Sequence, residues 1–299
     1  MVELLGSGLF LRAFTAGTIV ALITAPVGYF LVLRAHAFAG EALTDVGFAG
    51  ASWAALLGFS SILGMVLLSV LSAIGLGALG ERARGRDIEV GMVLSMALGL
   101  GVLALSMYAH SSAMHISSGV NILFGSLFSV TGAELFVVSL CGGAAMISIL
   151  AVFRPLLFAS IDPVVARARG IPMRGLSVLF MIILAVTTAS CVLVVGVLLV
   201  AALLIAPAAA AVNMTTRPWR SIGLAAGIGI AVTWSGLILA FLGTGRHLPV
   251  GFYISFLAGV VYVASFIARK RPVSHFEPAA HHTDREIGST SGWGSSAPT

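Results

Sequence analysis

Residues 175–216 read GLSVLFMIILAVTTASCVLVVGVLLVAALLIAPAAAAVNMTT, a run of 42 residues without a charged side chain. A helix needs about 20 apolar residues to cross the roughly 30 Å hydrocarbon core of a bilayer, so this run holds two crossings. The break between them is expected near Gly196 or Pro207, because glycine reaches backbone conformations closed to other residues and proline lacks an N–H. Nothing in the run alternates between polar and apolar residues, which excludes the strands of an outer-membrane barrel. The rest of the chain has the same character: 9% of its residues are charged and 59% apolar, against about 25% charged in soluble domains. The expected fold is an all-α integral membrane protein, a polytopic helical bundle of about eight to nine transmembrane helices.

Basic residues flank the run, with Arg154, Arg167, Arg169 and Arg174 before it and Arg217 and Arg220 after it. Cytoplasmic loops concentrate Lys and Arg, so these clusters mark the inside. Towards the N-terminus, residues 13–33 form one span closed by Arg34, and the next basic cluster is Arg82, Arg84 and Arg86. An even number of crossings must separate the two, and two fit only if Glu41 and Asp45 lie within the first or at its mouth. Residues 90–108 and 135–153 are further spans, joined by an uncharged outer loop over 109–133. Residues 222–242 lead outward, 243–248 turn, and Val250–Ile267 returns to Arg269, Lys270 and Arg271. The count is nine spans with the N-terminus outside, and of sixteen basic residues only Arg12 and Arg246 face outward. Residues 1–12 are then an extracytoplasmic N-terminus, 13–268 the transmembrane domain, and 269–299, rich in Ser, Gly, Pro and His, a disordered cytoplasmic tail.

The formal charge of +5 belongs to these topology signals and not to nucleic-acid binding. An ATPase is excluded on this chain because its single lysine, Lys270, follows no glycine-rich phosphate loop. An intramembrane metalloprotease is excluded because no HExxH sequence is present. Only Arg12 precedes the first apolar run and no small-residue cleavage site follows it, so no cleavable signal peptide is expected. Cys141 and Cys191 both fall in apolar runs and read as small buried hydrophobes. The spacing of Gly223 and Gly227 reads as a close helix contact.

Glu41 and Asp45 are the energetic anomaly. Four residues apart on a helix, both carboxylates project from one face and repel. Each costs about 2.5–3.5 kcal/mol at a membrane centre. A bound divalent cation offsets that cost, as does protonation of one member, or hydrogen bonding to nearby backbone near the interface.

Four segments in order carry a family resemblance: VLRAHAFAGEALTDVGFAGAS from Val32, NILFGSLFSVTGAEL from Asn121, IDPVVARARGIPMRGL from Ile161 and VVGVLLVAALLIAPAAAA from Val194. Together they resemble the membrane subunits of bacterial ABC importers for zinc, manganese and related metals. In that family the first segment carries an Asp and, four residues on, a His that help form the metal site. Those positions match Glu41 and Asp45, so the place is kept while both ligand types differ. Two oxygen donors suit harder cations, whereas His suits zinc. The LTDVGF variant is similar to a subgroup associated with zinc, which puts zinc first and manganese next.

Residues 160–172 resemble the family's cytoplasmic coupling segment. Asp162 is placed to cap a short helix with Pro163 at its first position, Gly170 to end it, and Arg167 and Arg169 to leave it basic. The resemblance implies import of a divalent metal into the cytoplasm across a bacterial inner membrane. It also implies that this chain binds no cofactor and that ATP is hydrolysed by a separate ATP-binding cassette subunit. An extracytoplasmic metal-binding protein and a second permease copy complete the implied assembly. The alternative is a secondary carrier coupled to ions or protons, in which the carboxylates relay charge. His36 stands close to the acidic pair but reads as an interfacial hydrogen-bonding residue. His110 and His115 fall in the outer loop, and His275, His281 and His282 with Asp284 and Glu286 in the tail.

Overall fold

In lipid every backbone N–H and C=O must find its partner within the protein, so apolar runs of this length fold as helices. The structure, a computed structural model, describes residues 8–78, 86–111, 130–242 and 249–268. It contains α1 (Gly8–Leu33), α2 (Ala37–Leu56), α3 (Ser61–Ala78), α4 (Arg86–Ser111), α5 (Gly132–Ala151) and α6 (Phe153–Ile161). The short α7 (Pro163–Ala168) follows, then α8 (Met173–Val195), α9 (Val197–Met214), α10 (Pro218–Leu242) and α11 (Val250–Ile267). Among the described residues, eight helices are long and apolar enough to cross a membrane: α1, α3, α4, α5 and α8 to α11. The ninth long helix is α2, whose 20 residues carry Glu41 and Asp45.

The relative polarity of α2 is matched by its position. It packs chiefly against α3 and α4, and also against α8, α9 and α1. Fourteen of its residues are buried, and they point in every direction around the helix. α11 has the opposite environment: Phe252, Phe256, Val263 and Ile267 are exposed and only Ile254, Ala258 and Ser265 are buried. That is the pattern of a lipid-facing helix, whereas α2 is screened from lipid by protein.

Glycines make this screening close. A Cβ added at Gly50 would lie 2.3 Å from the carbonyl oxygen of Gly64 on α3, and one at Gly28 would lie 2.1 Å from the carbonyl oxygen of Leu204 on α9. On α4, Gly101 leaves room for the ring of Phe48. The contact expected at Gly223 and Gly227 is not formed among the described residues, since a Cβ at either meets nothing there within 4 Å. Their spacing makes a shallow groove on α10, and no described neighbour fills it.

The expected break in the long uncharged run falls at Gly196, with φ 86° and ψ 159°, a conformation essentially reserved for glycine. Pro207 lies buried inside α9, which continues to Met214, as prolines do in membrane helices whose neighbours cover the freed carbonyl. Other boundaries moved for local reasons. α1 starts at Gly8, so residues 8–12 are already helical, and Arg12 among them is exposed. α5 starts at Gly132 because Thr131 and Glu134 form a reciprocal capping box. It stops at Ala151 because Pro155 has no N–H to offer the carbonyl four residues back. The chain restarts as α6, in the connection after the expected span over 135–153, where no helix was expected before Asp162. Residues 1–7, Arg82, Arg84, most of the 109–133 loop, the 243–248 turn with Arg246, and the tail from Arg269 onward lie outside the described residues.

Candidate functional site

The site begins at a tight corner. α1 ends with the N–H of Ala35 donating to the carbonyl of Val32 and that of His36 donating to the carbonyl of Leu31, the paired bonds of a Schellman turn. Its left-handed position is usually glycine but is here Ala35, with φ 54°. A Cβ there costs about 1 kcal/mol. α2 starts immediately afterwards, with His36 as its N-cap residue. Glu41 and Asp45 follow one and two turns in, so the acidic pair lies on the N-terminal half of a helix rooted in this corner.

Asp45 is 4% exposed and Glu41 is half-buried. Nearby hydroxyls are already committed to backbone: Thr44 Oγ1 donates to the carbonyl of Gly40 at 2.9 Å, and Ser69 Oγ on α3 to that of Leu43 at 3.4 Å. Among the described residues none donates a hydrogen bond to either carboxylate. Among all described residues the one fully enclosed polar side-chain atom without a partner is Ser221 Oγ, on α10, so the oxygens of Asp45 are not fully enclosed. A buried carboxylate with neither donor nor counter-ion is costly.

Among the described residues no group of three or more His, Cys, Asp and Glu side chains comes together. The acidic pair therefore stands without a third such side chain, and His36 does not join it. Instead His36 sets Nδ1 against the carbonyl oxygen of Arg34 and turns its ring edge-on to Phe180, 6.4 Å between centroids.

Arg34 was legible only as a membrane-flanking charge, yet it makes specific contacts. Its Nε donates to Ser160 Oγ on α6 at 3.0 Å, and its guanidinium lies 5.5 Å from the centre of the Phe180 ring on α8. Two residues after Ser160, Asp162 ends α6 and caps α7, its Oδ1 accepting the N–H groups of Val164 and Val165 at 3.1 and 3.0 Å. Pro163 occupies the first helical position. Gly170, at φ 78°, closes α7 with a Schellman turn in which its N–H donates to Arg167 and that of Ile171 to Ala166. The expected short helix is present with each of its caps. Arg169 is less free than expected, since its guanidinium lies 5.3 Å from the ring centre of Phe158. Ile161, Val164 and Val165 are exposed while Ala166 is buried, which leaves an apolar and basic surface on this segment.

The sequence profile of the ABC 3 transport family matches residues 7–269. The chain belongs to that family. Among its relatives, a manganese transport system membrane protein of Halalkalibacterium halodurans is 30% identical over 244 residues, covering 80% of this chain and 81% of the relative. A high-affinity zinc uptake system membrane protein of Haemophilus influenzae is 27% identical over 261 residues, covering 87% and 97%. The PsaBC complex of Streptococcus pneumoniae, solved with a Fab, has a similar fold: TM-score 0.77 at 25% identity, over 89% of this chain and 94% of that one. Family members are polytopic permease components, and the helical bundle described above is of that kind. His110, His115, most of the Asn121 segment and the histidines of the tail are not among the residues whose side chains are described.

Proposed function

We propose that this chain is the permease subunit of an importer that moves a divalent transition metal into the cytoplasm, driven by ATP hydrolysis on a separate subunit. The observation that carries the reading is the acidic pair: Glu41 and Asp45 lie on a helix packed by protein, with no donor or cation among the described residues to balance them. Two carboxylates and no neighbouring His or Cys make a hard, all-oxygen donor set. That chemistry favours manganese over zinc, the reverse of the order suggested by the LTDVGF motif, and the relatives named for manganese support this reading. α7 is the surface for the ATP-binding subunit, through Asp162, Pro163, Arg167, Arg169 and Gly170. An extracytoplasmic metal-binding protein delivers the ion, and two permease copies form the pathway. In this arrangement the clusters at Arg34 and Arg217 face the cytoplasm of a bacterial inner membrane.

The test is uptake of radioactive manganese and zinc by the reconstituted complex, with ATP hydrolysis followed in parallel. Metal-dependent uptake that requires ATP and is lost in the Glu41→Gln, Asp45→Asn double variant is the expected result. Asp45→His should keep activity and move preference towards zinc. Full uptake by the double variant would remove the metal-site assignment, and uptake without ATP hydrolysis would favour a secondary carrier.

A further inference from the structure

Two regions with assigned roles are far apart in sequence: the acidic helix α2 and the α6–α7 segment. A hydrogen bond between Arg34 and Ser160, 126 residues apart, spans them. At one end, Arg34 is the last residue before Ala35 and His36, the corner from which α2 grows. At the other, Ser160 lies in the last turn of α6, two residues from the aspartate that caps α7. The Ser160 hydroxyl donates to the carbonyl of Leu156 and accepts from Arg34, so both of its roles are filled and its direction is set. The Phe180 ring, 1% exposed, lies against the guanidinium and the His36 ring, which ties the same corner to α8.

Resting on the reading of α7 as the docking surface, we infer that Arg34 is the positioning residue that transmits displacement of α6 and α7 to the acidic helix. A shift of Ser160 acts on a planar guanidinium that is also held against the Phe180 ring. The pull reaches a backbone corner already held in a left-handed conformation at Ala35. Asp45 lies nine residues beyond His36, about 13 Å along the axis, so a small tilt at the corner is enlarged at the carboxylates. The flanking-charge reading of Arg34 accounts for neither the bond to Ser160 nor the stacking on Phe180.

The experiment uses the complete reconstituted complex with Arg34→Met, Ser160→Ala, the double variant and Ser160→Thr, which keeps the hydroxyl. The first readout is manganese transported per ATP hydrolysed. Arg34→Met and Ser160→Ala should each lower this ratio at least threefold. The double variant should be no worse than the poorer single one, because both remove the same contact, and Ser160→Thr should stay near wild type. The second readout does not depend on the transported ion: labelling of Phe38→Cys, a 62% exposed position on the first turn of α2, with Cys141 and Cys191 replaced. Its rate should change when a non-hydrolysable ATP analogue is added, and Arg34→Met should abolish that change. If labelling behaves in this way while no variant, wild type included, transports metal, the link stands and the proposed cargo is wrong. A parallel fall in uptake and hydrolysis with an unchanged ratio would mark Arg34 as merely structural and overturn the inference. So would a nucleotide response at Phe38→Cys that is absent in wild type or survives in Arg34→Met.

Discussion

Asp45→Asn separates a carboxylate kept for a passing cation from one that holds the bundle together, because the two readings give opposite signs for stability. Side chains four apart on a helix have Cβ atoms about 6 Å apart. At an effective dielectric constant near 20, two ionised carboxylates at that distance repel by about 2–3 kcal/mol. No described residue donates to Asp45, so the amide loses no bond and removes the repulsion. The metal-free permease should then unfold at a higher temperature, by about 5 °C if the usual relation between stability and melting temperature for a chain of this size applies. Uptake should move the other way. Contact between a dication and a carboxylate exceeds 1.4 kcal/mol even at that dielectric constant, so transport at limiting metal should fall at least about tenfold. The assay pairs thermal unfolding in detergent with excess chelator and metal uptake at matched membrane levels. A lower melting temperature for Asp45→Asn without metal would mean that the carboxylate was accepting bonds that hold α2 in place, and the reasoning would fail.

Three further outcomes follow from the geometry. Asp162→Ala with Gly170→Ala removes an N-cap and puts a Cβ at φ 78°, each costing about 1 kcal/mol; ATP hydrolysis should persist in the assembled complex while uptake is lost, and undiminished uptake would remove α7 from the coupling path. Cysteine at Arg217 should react with a membrane-impermeant reagent only from the cytoplasmic side and cysteine at Gly132 only from outside; the opposite pattern would invert the topology. Gly50→Ala, whose Cβ would meet the Gly64 carbonyl oxygen at 2.3 Å, should cost about 1–3 kcal/mol by overpacking and lower the yield of folded protein, while Gly91→Ala, which meets nothing within 4 Å, should not; equal yields in a quantified membrane fraction would contradict the packing.

The crossings were legible because the bilayer imposes a length that charge-free runs reveal directly. α7 was legible because its signals are local: Asp162, Pro163 and Gly170 each act within a few residues, and caps need no distant partner. Non-local features were not legible. The spacing of Gly223 and Gly227 describes a groove but not whether a neighbour fills it, and the glycines that do bring backbones together, Gly28, Gly50 and Gly64, are recognised only by what lies opposite them. The corner at Ala35 carried no signal, since a left-handed residue is anticipated where glycine stands. Arg34 looked like every other arginine beside a span, because Ser160 is too distant in sequence to be paired with it. For the acidic pair, sequence identified the helix face and the cost, whereas the absence of nearby donors required the packing of α3 and α4.

The dense jacket around α2 also bears on how the chain is assembled in the membrane. A segment with two acidic side chains is a poor substrate for independent partition into lipid, where each costs about 2.5–3.5 kcal/mol near the centre. α3 and α4 are synthesised directly after it, but α8 and α9 complete the enclosure much later in translation. Until α8 arrives, α2 must wait at the insertion machinery or at the interface instead of settling as a lone span. A nascent chain halted before Met173 should therefore leave α2 extractable from the bilayer while α1 stays embedded, so the helix carrying the candidate metal ligands is the last of the N-terminal segments to be committed to the membrane.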